Sequence, residues 1–145
     1  MEWIQNNWFN VLQSIGIIAS VLFTAYVVRV SNKSKKVENL LLLNQYHREI
    51  WLYYLDNPHL SSIFKKDIPE DYNPTDIENR FVSIIILHLN TAFLATKAGV
   101  IERIEKLDFD VKNFFSLPVP RKIWELNRIY QNQAFLDYVE RIINK

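Results

Sequence analysis

The run IIASVLFTAYVV, Ile17 to Val28, decides how the rest of the chain is read, because only Ser20 and Thr24 interrupt it with polar side chains. Upstream of it, no charged residue occurs from Trp3 onward. About 20 such residues cross the roughly 30 Å of bilayer hydrocarbon as a helix. The stretch therefore reads as a single transmembrane helix over residues 8–30, with a short extracytoplasmic N-terminus at 1–7 and a domain at 31–145. Trp8 and Tyr26 lie 18 residues apart, roughly 27 Å on a helix, so each ring can sit at one membrane interface. Trp3 joins Trp8 in the outer belt. Immediately after the span come Arg29, Lys33, Lys35 and Lys36, whereas no Lys or Arg precedes it. The positive-inside rule then puts the C-terminal domain in the cytoplasm, as a single-pass protein of the inner (cytoplasmic) membrane. A cleaved signal peptide is the competing reading, but a basic leading segment is missing and Glu2 stands in its place. A buried helix of a soluble protein is disfavoured by the length and flanks of the run.

Polar residues in and before this run are ordered. Asn6, Asn10, Gln13, Ser20 and Thr24 fall within roughly 40° of one line at about 100° per residue, and so form a stripe. Gly16, Ser20 and Thr24 stand four apart at its edge, a small-residue pattern that permits close helix approach. An amide facing lipid is costly, so Asn10 and Gln13 are expected to face protein or water. Three readings follow: dry glue between copies in a homo-oligomer, a wet stripe lining a pore, or a plain anchor whose amides lie in the headgroup region.

The remaining residues set the class. Roughly 115 residues follow the span, enough for one modest core. Glycine occurs twice and aliphatics and aromatics are abundant, so the chain is expected to be all-α. Without cysteine there is neither a disulfide framework nor a thiolate metal site or nucleophile. Acids and bases nearly cancel, at a net charge of +1, and alternate closely after Arg29, which excludes a broad electropositive face for duplex nucleic acid. The lipid bilayer and further copies of the chain are the expected partners, with a protein partner through the cytoplasmic domain as an open third.

A four-helix cytoplasmic domain is expected behind the span. No Pro or Gly interrupts Ile17 to Asn57, so the membrane helix can run on, or bend at residues 31–34, into a helix of about Val37–Asp56 that Asn57-Pro58 stops. After a breaker-rich loop at residues 68–74, Thr75 and Glu78 form a Thr-x-x-Glu capping box. The helix it opens should run to Lys97, with Gly99 as its left-handed stop, and it is apolar nearly all round, which predicts a buried helix. A third helix is expected at about Ile101–Phe115, with Ile101, Ile104, Leu107, Val111 and Phe114 inward. The fourth is expected over Arg121–Ile143, opened by Pro120, with Ile123, Leu126, Tyr130, Phe135, Tyr138 and Ile142 inward.

Chemistry-bearing motifs are few. No phosphate loop, His-Glu-x-x-His or Gly-x-Ser-x-Gly occurs, and no cofactor is expected. His47, His59 and His88 lack ligand spacing, so no metal site is expected unless tertiary structure assembles one. The pair Arg80 and His88 resembles the Arg and His that nucleases of the HEPN superfamily carry four to six residues apart. Seven residues intervene here, about 12 Å along a helix. If catalytic residues exist, these are the candidates.

Two further stretches carry a resemblance. WLYYLDNPHL (51–60) and PRKIWELNRIY (120–130), followed by Phe135 and Val139, resemble a broad uncharacterised bacterial family with one N-terminal membrane span and a helical cytoplasmic domain. More distantly, the layout resembles the membrane-bound accessory protein of type VI-B CRISPR systems. That resemblance implies a pore-forming antiviral defence partner with a degenerate HEPN-like domain. In the second stretch, Trp124 and Arg128 can form a cation–π contact and Arg121 and Glu125 an ion pair, which suits a helix-packing patch. Three functions are thus expected in order: a membrane-anchored oligomer that perturbs the membrane in antiviral defence, a passive tethered adaptor, and an HEPN-like ribonuclease.

Overall fold

The computed structural model describes residues 2–101 and 107–144, with side chains from residue 7 onward. Helices account for all of its regular elements among the described residues. The chain divides into two compact units, residues 1–38 and 39–145.

Helix α1 covers Glu2–Asp56, with one departure from helical dihedrals at Asn7 (φ −123°, ψ 15°). Helical backbone continues through residues 31–34, where a bend was the alternative. It stops at Asp56, as Asn57-Pro58 predicts, but Pro58 then opens a 3-10 helix, Pro58–Phe64, absent from the expectation. This turn earns its place through packing: Leu60 and Ile63 are fully buried in the core.

In the first unit, every large apolar side chain from Leu12 through Val30 is about half or more exposed. In the second, the core is built on α2 (Asp76–Lys97), α3 (Leu107–Phe115), α4 (Pro118–Asn127) and α5 (Gln133–Ile143). Trp124 is its largest fully buried side chain, set between Phe115 (ring centroids 4.9 Å apart) and Phe135 (5.9 Å).

The four-helix expectation for this domain needs correction. Arg121–Ile143 is not one helix: α4 opens earlier, at Pro118, and ends at Asn127. A 3-10 turn, Arg128–Tyr130, follows, and Gln131 is extended. Asn132 then caps α5, its side-chain oxygen accepting from the Phe135 N–H at 3.0 Å. An Asn that can satisfy a free helix N–H offers the chain an alternative to continuing the helix. The break resets the helical phase. Ile123, Phe135, Tyr138 and Ile142 are buried as expected, but Leu126 and Tyr130 are 63% and 79% exposed.

A second correction concerns α2. Phe81, Val82, Ile86, Leu89 and Ala92 are buried, yet Ile77, Ile84, Leu87 and Leu94 on its other side are exposed. The helix is covered on one face only. Its ends follow the expectation: Thr75 and Glu78 form the reciprocal capping box, and Gly99 adopts φ +66° beyond Lys97. Of the residues assigned to the third helix, Ile101, Leu107, Val111 and Phe114 are buried, and Ile104 lies outside the described residues.

Candidate functional site

Two apolar surfaces stand out, one in each unit. The first is the apolar stretch of α1. Within α1 from Asn7 onward, an 18-residue stretch reaches a mean hydropathy of 2.0, and none of that stretch is buried. By length and composition this helix is able to cross a membrane. A core helix and an N-terminal signal sequence meet the same hydropathy criterion.

Along the polar stripe, the hydroxyls satisfy themselves. Ser20 Oγ donates to the Gly16 carbonyl and Thr24 Oγ1 to the Ser20 carbonyl, each at 2.8 Å, and Ser14 does likewise to Asn10. Such back-bonding lets a hydroxyl sit in an apolar surrounding without an outside partner. The side-chain amides of Asn10 and Gln13 have no such bond among the described residues, and both are exposed. A Cβ at Gly16 would meet nothing, so no contact within the chain requires glycine there. The Asn6 side chain lies outside the described residues. Arg29, Lys33, Lys35 and Lys36 are all exposed and form no ion pair among the described residues.

The second surface is a groove of about 730 Å³ in the helical domain, between the C-terminal part of α1 and the uncovered side of α2. Its walls are mainly apolar. Arg80 and His88 both line it, so the pair singled out from sequence opens onto one cavity. His59 lines the groove as well. His88 meets His47 across the two helices with ring centroids 5.3 Å apart, and Trp51 Nε1 donates to His47 Nε2 at 3.0 Å. Burial, reinforced by the nearby His47, holds the His88 pKa below the ordinary histidine value, so His88 is neutral at pH 7. Sequence spacing gave no sign of the His47–His88 meeting, because it depends on how α1 and α2 pack. Among the described residues no group of three or more His, Cys, Asp or Glu is placed to hold a metal ion.

Close to this groove lies a buried carboxylate. Glu78 is 1% exposed and accepts hydrogen bonds from Tyr72 OH at 2.7 and 2.9 Å, from the Thr75 N–H at 2.7 Å, from Thr75 Oγ1 at 3.0 Å, and from Ser62 Oγ. Burial pushes its pKa up, but the bonds from Ser62, Thr75 and Tyr72 together outweigh burial and leave it below the usual carboxylate value. Through these donors the carboxylate is a structural clasp joining the 3-10 helix, the following loop and α2.

The second sequence stretch has a similar explanation. Arg121 pairs with Glu125 at 3.3 Å, as expected. Arg128 reaches Glu125 (3.4 Å) and Glu140 (3.5 Å), and Trp124 is fully buried with its Nε1 donating to Glu140 Oε1 at 3.3 Å. The cation–π pairing expected of Trp124 and Arg128 is thus replaced by a shared carboxylate that ties α4 to α5. In comparisons with known proteins, no family model, curated protein or solved structure matches the chain.

Proposed function

We propose that this chain is a single-span membrane protein that works as an assembly of copies, its helical domain in the cytoplasm and its assembled spans perturbing the bilayer. The observation that carries this reading is the apolar segment of α1, which has no protein cover. Ile17, Ile18, Val21, Leu22, Phe23, Val27 and Val28 are each exposed. At about 1.5–3 kcal/mol per large apolar side chain, taking these seven out of water is worth on the order of 10 kcal/mol or more. Lipid supplies that cover, and the unpaired cations from Arg29 to Lys36 suit the cytoplasmic headgroups. Within the span, Asn10 and Gln13 are the amides that copies of the chain would satisfy, by direct contact or across a wet path. The distant resemblance to the type VI-B accessory protein suggests antiviral defence as the setting.

The test has three parts. Alkaline carbonate should leave the full chain in the membrane pellet, and a tag at Lys145 should resist external protease in intact cells. Purified protein should release dye from vesicles. Extraction by carbonate sinks the anchor, and cleavage of the tag reverses the orientation. Retention in the pellet without leakage favours the tethered adaptor, a reading that the apolar groove also supports. RNA cleavage lost in His88→Ala would instead favour the ribonuclease reading of Arg80 and His88.

A further inference from the structure

The groove in the helical domain has the same repeat on both walls. On α2, Ile77, Arg80, Ile84, Leu87 and Thr91 line it at spacings of 3, 4, 3 and 4, beside Phe81 and His88; Leu43, Tyr46, Ile50 and Tyr53 of α1 and Asn57, just past its end, repeat those spacings, beside Glu49. Alternation of three and four averages 3.5 residues, the period at which a helix keeps one seam facing other helices and receives their side chains as knobs. A small apolar ligand needs a cavity of this size but no heptad repeat on either wall. The repeat is also uncovered: Tyr46, Tyr53, Ile77 and Ile84 are each about half exposed and Leu87 is 64% exposed.

We propose that this groove is a self-association seam, in which the α1–α2 pair of one copy packs face to face on that of a second copy as a four-helix layer. Charge favours a second copy over a foreign helix. Glu49 and Arg80 both line the groove, and neither has an ion-pair partner among the described residues; Glu49 accepts only from Gln45 on its own helix. Each copy thus offers one anion and one cation, and a second copy brings the complement of both. A uniformly basic or acidic partner would satisfy one and oppose the other. Tyr46 and Tyr53 supply rigid aromatic area of the kind that anchors interfaces. The inference deepens the proposed assembly, and rests on the membrane reading in one respect: confinement to a bilayer raises the effective concentration of copies.

The chain has no cysteine, so single cysteines report cleanly. In the detergent-solubilised full chain, Ile84→Cys should form a disulfide-linked dimer on oxidation, and Lys112→Cys, exposed on α3, should not. Leu87→Arg should weaken association tenfold or more by light-scattering mass while the helical circular dichroism is unchanged, since Leu87 is not in the core. Arg80→Glu and Glu49→Arg should each weaken it about two- to fivefold, and together restore it. Overturning results are a monomeric parent, association without an Ile84→Cys cross-link, or a monomer that carries extra non-protein mass in native mass spectrometry, which would assign the groove to a small ligand. Carbonate extraction of the same variants keeps the two readings apart. A chain that stays in the pellet but fails to cross-link loses the seam and keeps the anchor; one that is extracted but still cross-links loses the anchor and keeps the seam.

Discussion

Replacing Glu78 with Gln keeps the shape of a side chain that is 1% exposed but removes its charge and turns one acceptor into a donor. In the parent, five donor contacts from Ser62, Tyr72 and Thr75 converge on the two oxygens. Thr75 N–H and Tyr72 OH both reach Oε2, and an amide nitrogen there would face them donor to donor. Hydrogen bonds to a charged group are worth about 1.5–3 kcal/mol each, and non-additivity within one cluster brings the loss of two to roughly 3–4 kcal/mol. Against the 5–15 kcal/mol of a typical domain that is a large fraction, equivalent to a fall of roughly 10–20 °C in Tm. Thermal melts followed by circular dichroism on the detergent-solubilised chain measure it. The pH dependence follows from the lowered pKa of Glu78. A carboxyl whose native pKa lies below its unfolded value of about 4.3 gives its full stabilisation above that value and loses it as pH falls through the native one. The gap between parent and Glu78→Gln should therefore hold from pH 7 to 5 and narrow below about pH 4. A gap under about 0.5 kcal/mol, or one that stays constant down to pH 3, would refute the clasp.

Three other expectations are open to measurement. His88 takes a proton less readily in the folded state than unfolded, so domain stability should decline as pH falls below about 6.5, and His88→Gln should remove that decline; an unchanged slope refutes the assignment. Asn132→Ala, which removes the α5 cap, should cost about 1 kcal/mol in a denaturant titration, whereas a loss near zero would mean that the break at residues 128–132 does not depend on the cap. Asn10→Leu combined with Gln13→Leu should stay in the carbonate pellet yet weaken association in the span, since such contacts contribute about 0.6 kcal/mol each and up to roughly 2. If the amides line a wet path, leakage should fall even where cross-linking persists; parent-like cross-linking and leakage together would make the stripe incidental.

What was legible in the sequence was local. The Thr75/Glu78 box, the Asn57-Pro58 stop and the Gly99 terminus each depend on a few neighbouring residues, and each is found where its chemistry puts it. Less legible were features in which local signals compete. Residues 121–143 keep an apolar period that reads as one helix, and only Asn132, one polar residue among several, marks the break. Pro58 reads as a stop in the sequence, although proline is equally suited to the first turn of a new helix, and the burial of Leu60 and Ile63 stabilises that turn. The groove was hidden for a different reason. An all-round apolar helix such as α2 signals that both faces want cover, but not that the chain itself supplies cover for only one.

The two uncovered apolar surfaces differ in a way that bears on what covers each. Between Ile17 and Val28 the exposed side chains point in every direction around α1, with the Ser20 and Thr24 hydroxyls bonded to their own helix, so no single protein face could shield them all. On the proposed membrane reading, hydrocarbon surrounds the helix and covers all of these directions at once. On α2 the uncovered residues occupy one seam, with Asn79 and Ser83 beside it engaged in hydrogen bonds to Pro74 and Asn127. Lipid around the seam would take the Glu49 and Arg80 charges on its lining out of water, whereas a second helical surface can cover the apolar line and leave its borders wet. Neither of these two charges has an ion-pair partner among the described residues. The proposed assignment, bilayer for the one and protein for the other, leaves neither apolar surface in water.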